Sequence, residues 1–232
     1  MSAEEVERYY EAAALRPRQP GEDQLHVRGA EATVELAELA ALREGERVLD
    51  VGAGLGGPAR FLAQRFGVDV TGVDITAAFV ERAEALTRDD GLSDRVRFVR
   101  ADATSLPFAD DAFDIGWTQH AAMNVRDKTA LYAELRRTAG RLALYDAIAG
   151  AGGPPEYPLP WASVPALSFL VTEEELLELL AAAGFHPTAA RDATEAGRRW
   201  LRDVTLGPAF ENLGRALDDG RLRLLQLVAA SS

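Results

Sequence analysis

The strongest chemical signal in the chain is a run of glycines set among three aspartates. In "VLDVGAGLGG", Val48 to Gly57, an apolar run enters a turn holding Gly52, Gly54, Gly56 and Gly57, with Asp50 just before it. Asp74 ends "VTGVD" about 20 residues further on, and Asp102 follows "VRFVRA". A strand that enters a glycine turn and then a helix offers a ligand bare backbone and the positive end of a helix dipole. Pro58 suits the first turn of such a helix. Gly52, Gly54 and Gly57 also satisfy G-x-G-x-x-G, so a dinucleotide and a tight turn with no ligand are both to be weighed.

The aspartates bear on that choice. At Asp50 a carboxylate repels a pyrophosphate and attracts a cation, or it orients the glycine loop by accepting backbone N–H bonds. Asp74 stands where a carboxylate can hold two ribose hydroxyls, or cap the next helix. Asp102, in "ADAT", can accept from an adenine amino group or serve a turn. Three carboxylates around one strand end suit an adenosine carrying positive charge.

Acid–base candidates lie near the same end. His120, in "WTQHAAMNV", is one of three histidines and the best placed as base or orienting group. His26, in "DQLHVRG", is the next candidate, whereas His186 reads as structural. Tyr9 and Tyr10 can orient an amine or phenol or simply pack. Tyr145 and Asp146, ending "RLALYD", point at the rim of His120; Trp161 and Phe169 offer an apolar wall. Asp114 reads as a strand-start residue.

These residues need a frame. From Arg47 the chain alternates short apolar runs with amphipathic helical runs, the pattern of an α/β fold with a mostly parallel sheet. Strands are expected at Arg47–Val51, Val68–Asp74, Val96–Arg100, Phe113–Thr118, Arg141–Asp146, His186–Arg191 and Leu222–Ala229. Helices are expected at Ala3–Leu15, Ala30–Leu42, Gly57–Phe66, Ala77–Asp90, Lys128–Thr138 and Glu195–Val204. Thr172 and Glu175 form a capping box that opens a further helix closed by Gly184. "AIAGAGGPPEYPLPWASVPALSF" reads as a long functional loop.

At this point "VLDVGAGLGG", "VTGVDIT", "VRADATSLPFADDAFDIGWTQHAAMNV" and "DKTALYAEL" together resemble the class I S-adenosylmethionine-dependent methyltransferases. The resemblance runs from about Gly45 to Asp146 and is closest to the small-molecule branch of sarcosine, dimethylglycine and phosphoethanolamine methyltransferases. "EDQLHVRGAEAT" is similar to that branch as well. It implies a Rossmann-like, seven-stranded, mostly parallel sheet with helices on both faces and an N-terminal helical lid bearing Tyr10. Gly52, Gly54 and Gly56 would lie under the methionine portion of S-adenosylmethionine, and Asp74 would hold the ribose. Ile75 would pack on the adenine, Asp102 and Ala103 would meet its edge, Thr118 and Gln119 would border the cofactor, and His120 would face the acceptor. The chain departs from the family in its short turn, Thr138–Gly140: the preceding helix should end early or the strand start late, with Gly140 at positive φ.

Composition narrows the partners. With 25 basic and 37 acidic residues the net charge is −12, which opposes a phosphate-tracking surface. The chain has no cysteine, and therefore no disulfide or thiolate chemistry. The opening residues lack the basic and apolar regions of a signal peptide, and no apolar run reaches the length of a membrane span. The expectation is a cytoplasmic enzyme of one domain, 1–232: a helical cap over 1–44, a cofactor core over 45–146, an acceptor-side loop over 147–171 and the end of the sheet over 172–232. It would methylate a small molecule on N, O or C, without a metal. The alternatives are an NAD(P)-dependent oxidoreductase, against which Asp50 and the lack of a Tyr-x-x-x-Lys pair count, and a non-catalytic adenosine-binding module.

Overall fold

The computed structural model describes residues 23–204 and 207–231. Tyr9, Tyr10 and the helix expected over Ala3–Leu15 lie outside the described residues. The central strand, β1 (Arg47–Val51), is buried from Val48 to Val51 because neighbours cover both its faces. β2 (Asp69–Asp74) and β3 (Val96–Arg100) extend the sheet to one side. To the other side lie β4 (Ile115–Gln119), β5 (Arg141–Ala149), β7 (Leu222–Ser231) and β6 (Phe185–Asp192). The order is β3-β2-β1-β4-β5-β7-β6, with β1 to β5 parallel and β7 antiparallel to both of its neighbours. The chain therefore winds outward in opposite directions from β1 and β4, and their carboxyl ends form the crevice where open sheets of this kind bind ligands.

Strand alternation divides the core between the two faces. Val48, Val70, Ile115 and Tyr145 point to one, and Leu49, Val73, Leu142 and Leu144 to the other. The first face is covered by α1 (Gly29–Leu39), α2 (Gly57–Phe66), α3 (Ala77–Asp89) and α7 (Pro208–Asp218), through Leu36, Leu62, Ala83 and Leu213. The second is covered by α4 (Lys128–Thr138) and α5 (Glu173–Ala182), through Leu131, Leu135, Leu176 and Leu180. The remaining helix, α6 (Thr194–Arg202), packs beside α7. Thr172 caps α5: its hydroxyl accepts from the Glu175 N–H at 3.2 Å, and the Glu175 carboxylate accepts from the Thr172 N–H at 2.7 Å.

Several expectations need correction. α1 stops at Leu39 rather than Leu42, because the chain turns through Ala41 at φ 47° and the Leu42 N–H bonds back to Ala37. β4 begins at Ile115, as Phe113 makes only an isolated bridge with Ala139. β5 runs on to Ala149 because β7 pairs with it along its whole length. The short Thr138–Gly140 turn costs neither element a residue. Ala139 adopts an extended conformation, φ −146° and ψ 140°, and closes α4 by donating its N–H to Leu135; Gly140 is not at positive φ. α7 was not foreseen at all.

Candidate active site

The carboxyl ends of β1, β2 and β4 open into a cavity of about 1190 Å³. His26, Gly52, Gly54, Asp74, Ile75, Asp102, Ala103, Gln119 and His120 all line it. Asp50 and Gly56 do not. Asp50 lies beneath the glycine loop, 2% exposed, and Gly56 faces inward toward Phe98 and Arg60.

The loop geometry shows what each glycine answers to. A Cβ on Gly52 would stand 2.2 Å from the Cβ of Ala121, and φ is +79°. A Cβ on Gly56 would lie 2.3 Å from the Phe98 ring. These two are glycines because protein packs against them, as a tight strand-to-helix turn requires. Gly54 differs. Its N–H donates to the Asp74 carboxylate at 2.9 Å, and only the Leu25 side chain approaches it from the cavity. The second Asp74 oxygen accepts from the Thr76 N–H at 2.9 Å. A carboxylate has about four acceptor positions, so Asp74 keeps capacity for the two hydroxyls of a ribose. Burial raises its pKa, against the pull of those backbone donors. Asp102 accepts from the Thr104 N–H and hydroxyl through one oxygen, both at 2.8 Å, leaving the other for a ligand.

Asp50 carries an unmet polar atom. Its Oδ2 is buried without a hydrogen-bond partner, and burial, with the nearby Asp74 charge second, pushes its pKa up to about 7. This is a site short of positive charge. A cationic ligand in the crevice would offset the deficit and a diphosphate would deepen it. The donor set and the spare acceptor positions of Asp74 and Asp102 thus fit an adenosine sulfonium.

Residues 23–29 cross over the glycine loop, held by an ion pair between Asp23 and the buried Arg60. Arg60 also bonds Asp90 at 2.9 Å and the Leu55 carbonyl at 2.8 Å. In this segment His26 Nε2 lies 2.8 Å from the Gly29 carbonyl, which assigns the proton to Nε2. The same nitrogen lies 3.1 Å from the Thr33 hydroxyl, and Gln119 Oε1 accepts from Thr33 at 3.2 Å and from the Trp117 indole at 2.9 Å. Burial lowers the pKa of His26 to about 4. His26 is therefore a neutral latch between this segment, α1 and β4.

His120 adopts φ 50°, unusual for a residue with a side chain, in the turn after β4. Its backbone N–H is held by the Tyr145 carbonyl at 2.7 Å, and its ring lies 4.7 Å from the Tyr145 ring and 6.1 Å from that of His26. Nε2 is buried without a partner. Burial, then the neighbouring His26, holds its pKa well below the usual histidine range, so the ring is neutral.

Tyr145 and Asp146 are not in the cavity wall. The Asp146 carboxylate accepts from the Met123 N–H at 3.1 Å, while Lys128 Nζ donates to the carbonyls of Ala122 at 2.6 Å and Val125 at 2.7 Å. Together they clamp the turn that follows His120. Sequence reasoning missed Arg60, Thr33 and Lys128, each read as an ordinary helix residue; only their burial in the fold marks them. Trp161 and Phe169 do line the cavity, joined by Phe61, Trp200 and Phe210. Among the described residues no cluster of His, Asp or Glu could hold a metal ion, and no helix is long and apolar enough to cross a membrane.

Residues 48–140 match a family model described as a methyltransferase domain. This stretch is similar to methyltransferase domains. Over 204 residues this chain is 30% identical to phosphoethanolamine N-methyltransferase 1 of Triticum aestivum, covering 86% of itself and 40% of that protein. The chain spans less than half the length of the curated relatives it matches. Among solved structures, the geranyl diphosphate C-methyltransferase of Streptomyces coelicolor A3(2), in complex with Mg2+, geranyl diphosphate and S-adenosyl-L-homocysteine, superposes with a TM-score of 0.83 at 19% identity. It covers 99% of this chain and 97% of that one, and shows the shared fold. The [4+2]-cyclase SpnF superposes with a TM-score of 0.78 at 25% identity, over 99% and 96% of the two chains.

Proposed function

We propose that this protein binds S-adenosylmethionine and transfers its methyl group to a small molecule. One observation carries the reading: Asp74, Asp102 and His120 face one cavity beside a glycine loop underlain by an unpaired buried carboxylate. Asp74 would hold the ribose hydroxyls, Ile75 would pack on the adenine, and Asp102 with Ala103 would meet its edge. Gly52, Gly54 and Gln119 would border the methionine portion, with Asp50 and Gly56 supporting the loop from below. Bound there, the cofactor supplies a methyl already activated as a sulfonium. The protein's share is to hold the acceptor in line with it, and such positioning is worth about 7–11 kcal/mol. Neutral His120 can accept a proton or a hydrogen bond from the acceptor; His26 and Tyr10 are further candidates for orienting it.

Residues 1–232 are read as one domain working in the cytoplasm on small molecules. The net charge of −12 supports the exclusion of nucleic acid. Titration calorimetry with S-adenosylmethionine and S-adenosylhomocysteine tests the reading: each should bind with one-to-one stoichiometry, and binding of neither refutes it. NADH binding in their place would favour the oxidoreductase.

A second reading has one specific observation behind it, since SpnF, a [4+2]-cyclase, shares this fold. The site could then bind the cofactor without spending its methyl. Radiolabelled methyl transfer to a bound acceptor separates the two.

A further inference from the structure

The aromatic share of the cavity lining has a chemistry of its own. Trp161 and Phe169 come from the Pro-rich loop, Trp200 from α6 and Phe210 from α7, and all four line the same cavity. Two of the lining cations are paired with carboxylates and a third stacks on an aromatic ring. Arg28 makes two 2.7 Å hydrogen bonds to Glu35, Arg60 is held by Asp23 and Asp90, and the Arg126 guanidinium lies 4.7 Å over the Phe169 ring. Three residues that line the cavity carry buried polar atoms without a partner, Gln24 Oε1 over the glycine loop, Thr76 Oγ1 after β2 and His120 Nε2 after β4, and of these His120 Nε2 belongs to a neutral ring. Four aromatic side chains sharing a cavity with that nitrogen suit a ligand that is mostly carbon and makes an oriented hydrogen bond. A phosphorylated amine would bring a phosphate that Arg126 alone would have to meet, because Arg28 and Arg60 are already held by carboxylates.

Building on the methyl-transfer reading, we propose that the acceptor is an uncharged, ring-bearing apolar molecule that presents one hydroxyl to His120, its carbon skeleton held by Trp161, Phe169, Trp200 and Phe210. The acceptor oxygen forms a bond to the methyl carbon as the sulfur–methyl bond breaks, its electron pair returning to sulfur and cancelling the sulfonium charge. The hydroxyl proton passes to His120 Nε2 and from there to solvent. The products are a methyl ether and the neutral thioether.

Equilibrium dialysis of the full chain saturated with S-adenosylhomocysteine tests this with three probes: 2-naphthol, naphthalene and phosphoethanolamine. 2-Naphthol should bind saturably and more tightly than naphthalene, and phosphoethanolamine should not bind. Trp200→Ala should weaken both ring probes about tenfold. His120→Asn, which keeps a residue at ease with positive φ, should erase the preference for 2-naphthol while leaving naphthalene unchanged. Tight phosphoethanolamine binding, equal affinity for the two ring probes in the unaltered chain, or no ring binding at all would overturn the acceptor assignment alone. Failure to retain S-adenosylhomocysteine would overturn the methyl-transfer reading with it.

Discussion

Asp50→Asn should make the ligand-free protein more stable, and more so the higher the pH. In the fold burial raises this carboxyl to about 7 from its ordinary value of 3.8, so between those values the folded state holds a proton that the unfolded chain has released. Stability must then fall as pH rises through that window and level off above it. Three pH units at about 1.4 kcal/mol each give a penalty of at most about 4 kcal/mol at pH 8. Asparagine has the shape of the protonated acid and no charge to bury, so it should recover most of that. For a chain of this size the gain is about 10 °C in Tm. Thermal melts of the two proteins from pH 4.5 to 8 should nearly coincide at the acid end and separate steadily above it. Parallel curves, or a less stable variant at pH 8, would refute the reasoning. The same substitution should narrow the affinity advantage of S-adenosylmethionine over S-adenosylhomocysteine, since only the former brings the sulfonium charge.

Other outcomes follow from the same geometry. Gly52→Ala should cost about 2–5 kcal/mol in urea denaturation, from positive φ and collision with Ala121 together. Adding Ala121→Gly should recover only the collision, leaving about 1–2 kcal/mol of backbone strain. Asp74→Ala should abolish calorimetric binding of S-adenosylhomocysteine while the far-ultraviolet spectrum stays unchanged; retained binding would remove Asp74 from the ribose role. His26→Phe should reduce acid sensitivity: a histidine held near 4 loses the fold up to about 3 kcal/mol as pH falls from 6.5 toward 4, so a denaturation series between pH 7 and pH 4.5 should show a smaller loss in the variant than in the parent.

The core was legible because its signals are redundant. In β1, α2 and β3 apolar period, glycine breaks and caps agree, and their boundaries match the structure residue for residue. α7 was missed because "PAFENLGRALD" carries an internal glycine and opens on Pro208 directly after Gly207, which reads as loop until Leu213, Ala216 and Leu217 find the core. The glycine loop was legible as a turn but not as to cause: nothing in the string says that Ala121 and Phe98, 69 and 42 residues away, would come to rest on Gly52 and Gly56. Likewise Tyr145 and Asp146 looked like rim residues from their place at a strand end. They are buried because β5 continues three residues further and β7 runs alongside it.

The position of β7 has a consequence for how the molecule comes to be. Among the described residues β6 pairs with β7 and with no other strand, while β7 joins it to β5 through antiparallel pairing on both edges. During synthesis β6 leaves the ribosome with no partner to zip onto and must wait until residues 222–231 are made. The Rossmann half can consolidate early; the edge cannot. Loss of that final segment would therefore strip two strands from the sheet at once and leave the flank of β5 open to the same strand of another molecule.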